Sequence, residues 1–305
     1  MGWPLRNYEE AQIYFATVRC SQGRLLLRPS KQTNLVLGGV LARAARRSDV
    51  ELFAFMFASN HVHLLLRAPR NNLPQFMQYL LTNISKKVGA LVGWRGAFWE
   101  RRYSAEPVLD EGALLSRVRY IISHGVKEGL VRTCQEWPGL SSLPDFLGAR
   151  PRQFSWFDWS RRWGFRSGKG VAPRFDDRFA EPETLELTPL PLVRFARKSA
   201  WRRFIRRALE AIKQQGRRAH PRVLGRAGVL AQDPQHRPDR PKRSRRPWCH
   251  AVSASLRITF IERYRAFRAA FSEASARWRS GDLSAVFPKN AFRPFLRSAA
   301  PASLA

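Results

Sequence analysis

Cysteine is scarce in this 305-residue chain: Cys20, Cys134 and Cys249 stand singly, without the spacing of a disulfide framework or a cysteine metal site. A reducing cytoplasm is the expected setting. Acidic residues are scarce as well, 23 against 54 lysines and arginines, leaving a formal charge of +31. An imbalance this large opposes compaction and suits a polyanionic partner, nucleic acid first among them. Long apolar runs are missing, so no segment is expected to span a bilayer. The start, Met1-Gly2-Trp3-Pro4, lacks the basic-then-apolar pattern of a secretory signal. Membrane and secreted roles are therefore not expected.

What is present is an apolar fraction of 44%, with ten Trp and twenty Phe, ample for a sizeable core. The positive charge is concentrated late: residues 1–150 carry 20 basic against 11 acidic residues, and residues 151–305 carry 34 against 12. The length allows two domains.

Histidine numbers only six, and two lie in Ser59-Asn60-His61-Val62-His63-Leu64-Leu65-Leu66. This stretch and the preceding Glu51–Phe57 have the length and composition of buried strands, with Asn60 near a tight connection. Alternation along a strand puts His61 and His63 on one face and Val62 on the other. Two imidazoles so placed can chelate one divalent ion, yet a His-x-His pair alone is commonly just a satisfied polar pair. A third ligand and a nucleophile must come from elsewhere.

Around this ribbon the chain reads as strand 11–20, helix 35–47, strands 50–57 and 61–67, helix 73–92, an irregular strand 98–109 at an edge or bulge marked by Pro107, and helix 110–123 with Asp110 as N-cap. The first six elements make the split β-α-β pattern of a ferredoxin-like antiparallel sheet with helices on one face, an α+β fold. The seventh must lie near the sheet edge or cross its open face. Residues 151–190 look like a wrapped linker. Residues 191–305 read as an arginine-rich, mostly helical extension: a helix at 192–214, a proline-broken basic arm at 234–247, and a helix at about 255–279. The stripes Trp201-Phe204-Ile205 and Phe260-Tyr264-Phe267 are expected to pack the two helices on each other or on the first domain.

The seventh element carries Tyr120 and His124, four apart and so on one helical face. If that helix crosses the sheet, His124 completes a three-histidine site with His61 and His63, and Tyr120 comes within reach of a phosphate held there. A phenol, with an ordinary pKa near 10, is a poor nucleophile unless the phosphate is activated, and a divalent ion on a non-bridging oxygen does that. Imidazole ligands suit Mn2+, while Mg2+ needs few protein groups. Tyr103, on the irregular strand, is the rival nucleophile, though a strand aromatic is commonly a packing residue.

Residues 10–145 resemble the HUH single-strand transposases with one catalytic tyrosine, the IS200-like family, and within it the REP-associated tyrosine transposase branch. The resemblance rests on Asn60-His61-Val62-His63-Leu64-Leu65, Phe98-Trp99-Glu100-Arg101-Arg102-Tyr103, Tyr120-Ile121, Val126-Lys127-Glu128-Gly129-Leu130-Val131, Trp137-Pro138 and Ser141-Ser142. It implies that His61 and His63 bind the metal. It also implies that Tyr120 attacks single-stranded DNA, leaving a 5′-phosphotyrosine and a free 3′-hydroxyl. Two departures stand out: His124-Gly125 replaces a usual Asn-Pro, and Ala58-Ser59 a usual Met-Pro.

The expectation is then a metal-dependent nuclease and strand transferase at residues 1–150, using Tyr120 with His61, His63 and His124 and one Mg2+ or Mn2+. Its partner would be single-stranded or hairpin DNA, with the protein a monomer or homodimer, cytoplasmic and nucleoid-associated. Lys86, Lys87, Arg101, Arg102, Arg119, Lys127, Arg243, Arg245 and Arg246 are candidate DNA contacts. Two other readings compete. One is a non-catalytic binder that stacks nucleic acid on an open sheet, as RNA-recognition modules do; the other is a domesticated copy that still binds its old sites.

Overall fold

Alternating apolar runs in the first 110 residues form one antiparallel sheet. In the computed structural model, which describes residues 5–10, 12–167, 170–171, 174–192, 197–239 and 246–294, its strands are β1 (Ile13–Arg19), β2 (Glu51–Ala58), β3 (His61–Arg67) and β4 (Ser104–Val108). They lie in the order β2-β3-β1-β4, the ferredoxin-like arrangement read from the sequence. Helices α1 (Lys31–Ser48) and α2 (Leu73–Leu91) bury Leu37, Leu41, Phe76, Leu80 and Ile84 against Tyr14, Phe57, Leu64 and Leu66 on one face. Among the described residues no helix is long and apolar enough to cross a membrane.

The other face is covered too. Helix α3 (Glu111–Lys127) starts where the Asp110 carboxylate accepts from the Ala113 amide at 2.7 Å, and it runs on past Ser123 through His124. Its Leu114, Val118, Ile121 and Ile122 pack on Phe15, Met56 and Leu65. A bulge in β2 between Leu52 and Ala54 turns Phe53 and Ala54 to this same side, thickening the core there. Helix α4 (Lys198–Ala219) then seats Ile205, Ala208, Leu209 and Ile212 in the second core. The contact with α3 is close, since a Cβ on Gly216 would come within 2.3 Å of a Val126 methyl. With both faces closed, the sheet offers no bare aromatic platform of the RNA-recognition kind.

Two parts of the C-terminal half differ from the sequence expectation. The stretch 151–190 is not a linker: β5 (Arg152–Phe157) and β6 (Ala180–Leu185) pair antiparallel and lie on α1. Gly39 makes this possible, because a Cβ there would sit 2.4 Å from the Ser155 carbonyl oxygen. Arg43 and Arg46 grip the buried Glu183 across the same interface at 3.0 and 2.8 Å. The stripe of the first long helix packs on the first domain, in one of the two expected arrangements, with Trp201 and Phe204 against the second core, whereas that of the last helix is only half-covered. Residues 246–253 run beside β4, where the His250 amide donates to the Pro107 carbonyl and the Leu109 amide to the His250 carbonyl, both at 2.8 Å. From there α5 (Ala254–Arg279) extends along residues 5–9, with Tyr264 Oη donating to the Leu5 carbonyl at 2.9 Å, and only Ala274 and Ser275 are fully buried.

Lys87 is a further correction. The chain buries it, with 6% of its surface exposed, so it cannot meet DNA phosphates. Its ammonium donates to the Phe157 carbonyl of β5 and stands over the rings of Trp156 and Trp159 at 4.2 and 4.6 Å. Burial lowers its pKa from the ordinary 10.5 to about 8. Below about pH 8 both folded and unfolded chains carry this charge, and folding bears its full desolvation cost. Between about 8 and 10.5 the unfolded chain binds more protons, so the contribution of Lys87 to stability rises with pH. The stability difference between wild type and Lys87→Met, measured by urea midpoints, is expected to shift toward wild type as pH is raised through that window. A difference that stays flat would put the ammonium in water.

Candidate active site

Strand alternation and helix periodicity converge at one point. His61 and His63 project from the second face of β3, and α3 crosses that face so that His124 comes down beside them. One ligand atom from each of the three lies within 4.8 Å of the others. The ring centroids are 4.6 Å apart for His61–His63, 4.5 Å for His61–His124 and 5.0 Å for His63–His124. All three are buried, at 9, 4 and 3% exposed. Burial first, then the neighbouring imidazoles, holds His61 and His63 well below 6.5, so both are neutral at pH 7 with lone pairs to offer.

The strands also decide which nitrogen carries that lone pair. Asn60 Oδ1 is 2.6 Å from His61 Nδ1, and since an amide oxygen can only accept, Nδ1 carries the proton and Nε2 the lone pair. The amide is itself held by Nδ2 donating to the Gly23 carbonyl at 3.0 Å. Thr17, opposite His63 in the β1–β3 register, places Oγ1 3.0 Å from His63 Nδ1. An imidazole donating there keeps its lone pair on Nε2, which is buried and has no hydrogen-bond partner among the described residues. These are the groups a divalent ion would satisfy, with its ligands already anchored from behind.

Tyr120 lies one turn before His124, half-buried, its ring 5.2 Å from that of His63 and 5.9 Å from that of His124. Phe15, stacked on His63 at 5.2 Å, meets Tyr120 edge-on at 5.8 Å and sets the ring's position. Two cations stand over the phenol, Arg117 at 4.9 Å and Lys127 at 4.5 Å. The spot combines three imidazoles, a phenol and two positive charges.

The other expected residues divide. Tyr103 is buried in the first core, across the sheet, with Tyr8 Oη donating to its hydroxyl at 3.1 Å and Arg6 over its ring at 4.0 Å; burial raises its pKa. It packs on the face of the sheet opposite the histidines. Lys86 is exposed on α2, also on the far side. Arg119 donates to Gln215 of α4 at 3.2 Å. Arg101, Arg102 and Arg246 are exposed around the outer strand, while Arg243 and Arg245 lie outside the described residues. Arg117, Thr17 and Phe15 were not singled out from sequence. Arg117 could have been, being three residues before Tyr120 on one helix face, but Thr17 and Phe15 depend on strand register.

The span from Ile13 to His124 matches the family model described as transposase IS200 like. The span contains the three histidines, Tyr120, Arg117, Thr17 and Phe15, while Lys127 lies just beyond its end. Among solved structures, the chain is similar to one described as the REP associates tyrosine transposase bound to a REP hairpin, at 18% identity and TM-score 0.42, over 59% of this chain and 98% of that one. It is also similar to a candidate transposase from Deinococcus radiodurans R1, at 22% identity and TM-score 0.29, over 40% of this chain and 95% of that one. No curated protein matches it.

Within this span, Thr17 offers a test of the anchored donor set. Thr17→Val keeps the shape and removes the hydrogen bond to His63. Mn2+ affinity, measured by titration calorimetry on the full chain, is expected to fall about 10- to 100-fold. An unchanged affinity would mean that Thr17 does not orient a ligand.

Proposed function

We propose that this transposase cleaves and rejoins single-stranded DNA through a covalent phosphotyrosine on Tyr120, with one divalent ion, Mn2+ or Mg2+, held by His61, His63 and His124. The observation that carries the reading is the placement of a half-exposed phenol 5.2 Å, ring to ring, from a buried cluster of three imidazoles, of which His61 and His63 are held neutral. When bound, the ion would polarise a phosphate oxygen and stabilise charge at phosphorus. The remaining work belongs to the chain. Phe15 fixes the ring, and Arg117 and Lys127 attract the phosphodiester and offset its charge. The Tyr120 oxygen bonds to phosphorus as it loses its proton, and the bond to the 3′ oxygen breaks, that oxygen taking up a proton. A 5′-phosphotyrosine and a free 3′-hydroxyl result, and the reverse attack restores a phosphodiester without an external energy source.

His124 stands where the resembling family usually has asparagine. A neutral imidazole is a competent donor and leaves the three-ligand set intact. The motifs shared with the REP-associated branch extend the proposal to sites flanked by hairpins. The exposed face of α4, with Arg202, Arg203, Arg206 and Arg207, gives such a structured end a positively charged bed beside the catalytic helix.

With Mn2+ and a hairpin-bearing oligonucleotide, the protein is expected to form a covalent adduct that runs as a slower band on a denaturing gel. EDTA and Tyr120→Phe should each abolish it, while Tyr103→Phe should leave it. Loss on Tyr103→Phe in a folded protein, with Tyr120→Phe still reactive, reverses the assignment. For the basic helix, Arg203→Glu with Arg206→Glu should weaken hairpin binding and reduce the slope of log affinity against log salt by about 2. An unchanged slope removes α4 from the interface.

A further inference from the structure

Helix α5 carries a column of rings. Phe260 and Tyr264 have centroids 6.1 Å apart and planes 7° from parallel, and Tyr264 and Phe267 follow at 6.2 Å and 22°. Trp248, from the segment beside β4, closes on Tyr264 at 5.5 Å. Aromatics at helical spacing are core when something covers them, yet here Phe260, Tyr264 and Phe267 are only half-buried and Trp248 is exposed. Phe260, Tyr264 and Trp248 line a cavity of about 1210 Å3 bounded by α5, β4 and residues 5–9. Pockets for single small molecules run to about 300–1,000 Å3, so this one is large enough for several linked units.

Its walls are also positively charged. Arg102, Arg246 and Arg268 line the same cavity. Like charges are crowded there: burial and the neighbouring Arg6 lower the pKa of Arg102, and burial and Arg101 lower that of Arg246, with Glu106 as a partial counterweight. A polyanion would relieve that crowding. Aromatic faces for bases beside cations for phosphates are the combination that binds single strands without reading sequence.

The cavity also adjoins a hollow that reaches a neighbour of the phenol. A second hollow, lined by Arg117, His250 and Arg257, shares Pro247 and Trp248 with the first. Arg117 stands over Tyr120, and His250 lies edge-on to Phe15 at 5.4 Å.

We propose that this groove is a subsite for single-stranded DNA, in which unpaired bases next to the phosphate at Tyr120 stack on Trp248, Phe260 and Tyr264 while Arg102, Arg246 and Arg268 meet their phosphates. Where the strand comes from rests on the nuclease reading above; the binding itself needs no cleavage. The test therefore uses the full chain carrying Tyr120→Phe and a fluorescein-labelled twelve-residue oligothymidylate without a hairpin. Adding Phe260→Ala and Tyr264→Ala should weaken binding, read by anisotropy, about tenfold or more. In parallel, the same oligonucleotide with 5-iododeoxyuridine, photo-crosslinked to the otherwise unaltered protein, should label peptides within residues 246–271. Undiminished affinity in a double variant with normal melting, or crosslinks confined to other peptides, overturns the proposal; should the double variant fail to fold, the crosslinks decide. If the groove crosslinks but no Tyr120 adduct forms with the hairpin substrate, the nuclease reading fails alone. If the adduct forms and the groove stays unlabelled, this inference fails alone.

Discussion

Burial of one apolar ridge governs the site. Leu114, Val118, Ile121 and Ile122 of α3 seat against Phe15, Met56 and Leu65, and that seating brings His124 and Tyr120 over β3. Each large apolar side chain removed from water contributes about 1.5–3 kcal/mol. Several of them acting together hold the helix far more firmly than any contact between the imidazoles could. The imidazoles only tolerate the result, since three buried polar rings within a few ångströms cost free energy unless they stay neutral and find partners. The low protonation of His61 and His63 and the anchoring by Asn60 and Thr17 meet that requirement. The polar centre is assembled by apolar surroundings, as a site that must exclude water and hold rigid donors requires.

The C-terminal half takes part in that assembly. Ile205, Ala208, Leu209 and Ile212 of α4 complete the core behind α3, and β5 with β6 clamps the outer side of α1 through Gly39 and the Glu183 ion pairs. Cutting the chain after residue 190 would bare half of a core, so DNA binding by the extension is better probed by altering its exposed charges than by removing it. The family match ends at His124, but the seating of α3 depends on residues some 80 positions further on.

Period-two alternation was enough to put His61 and His63 on one face, and the four-residue step was enough to put Tyr120 with His124. Both are local geometry, and both are legible in any single chain. The ferredoxin-like order was legible for the same reason, six elements each with a clear period. Thr17 and Phe15 were not, because they reach the site only through the register of β1 against β3, which no local pattern states. The strands at 152–157 and 180–185 escaped for another reason: Arg152–Phe157 pairs with a partner far along the chain, across an insertion rich in arginine and tryptophan. Lys87 sits beside Ile84 and Val88 on α2, and whether that flank of the helix faces water depends on β5 lying over it. The aromatic stripe of α5 shows the limit of the same logic. Helical spacing says that rings share a face, never what covers that face.

The surplus of positive charge can now be placed. A net charge of +31 is self-repulsive in a folded chain. The few acidic groups with structural work are spent on the fold: Glu183 on Arg43 and Arg46, Asp145 on Arg152, and Asp110 on the start of α3 and the amides of Val252 and Ser253. Cations therefore outnumber acidic groups on the outer face of α4 and around the outer edge of β4, on either side of α3. Salt ions would occupy these surfaces in the free protein, and their release on binding favours a polyanion whatever its sequence. Base-specific choice must then come from elsewhere, from the shape of a structured end or from the few positions near Tyr120 where bases are held close. On the function proposed above, charge would bring the strand to the protein, rings would hold it unpaired, and three imidazoles beside one phenol would set which phosphate is attacked.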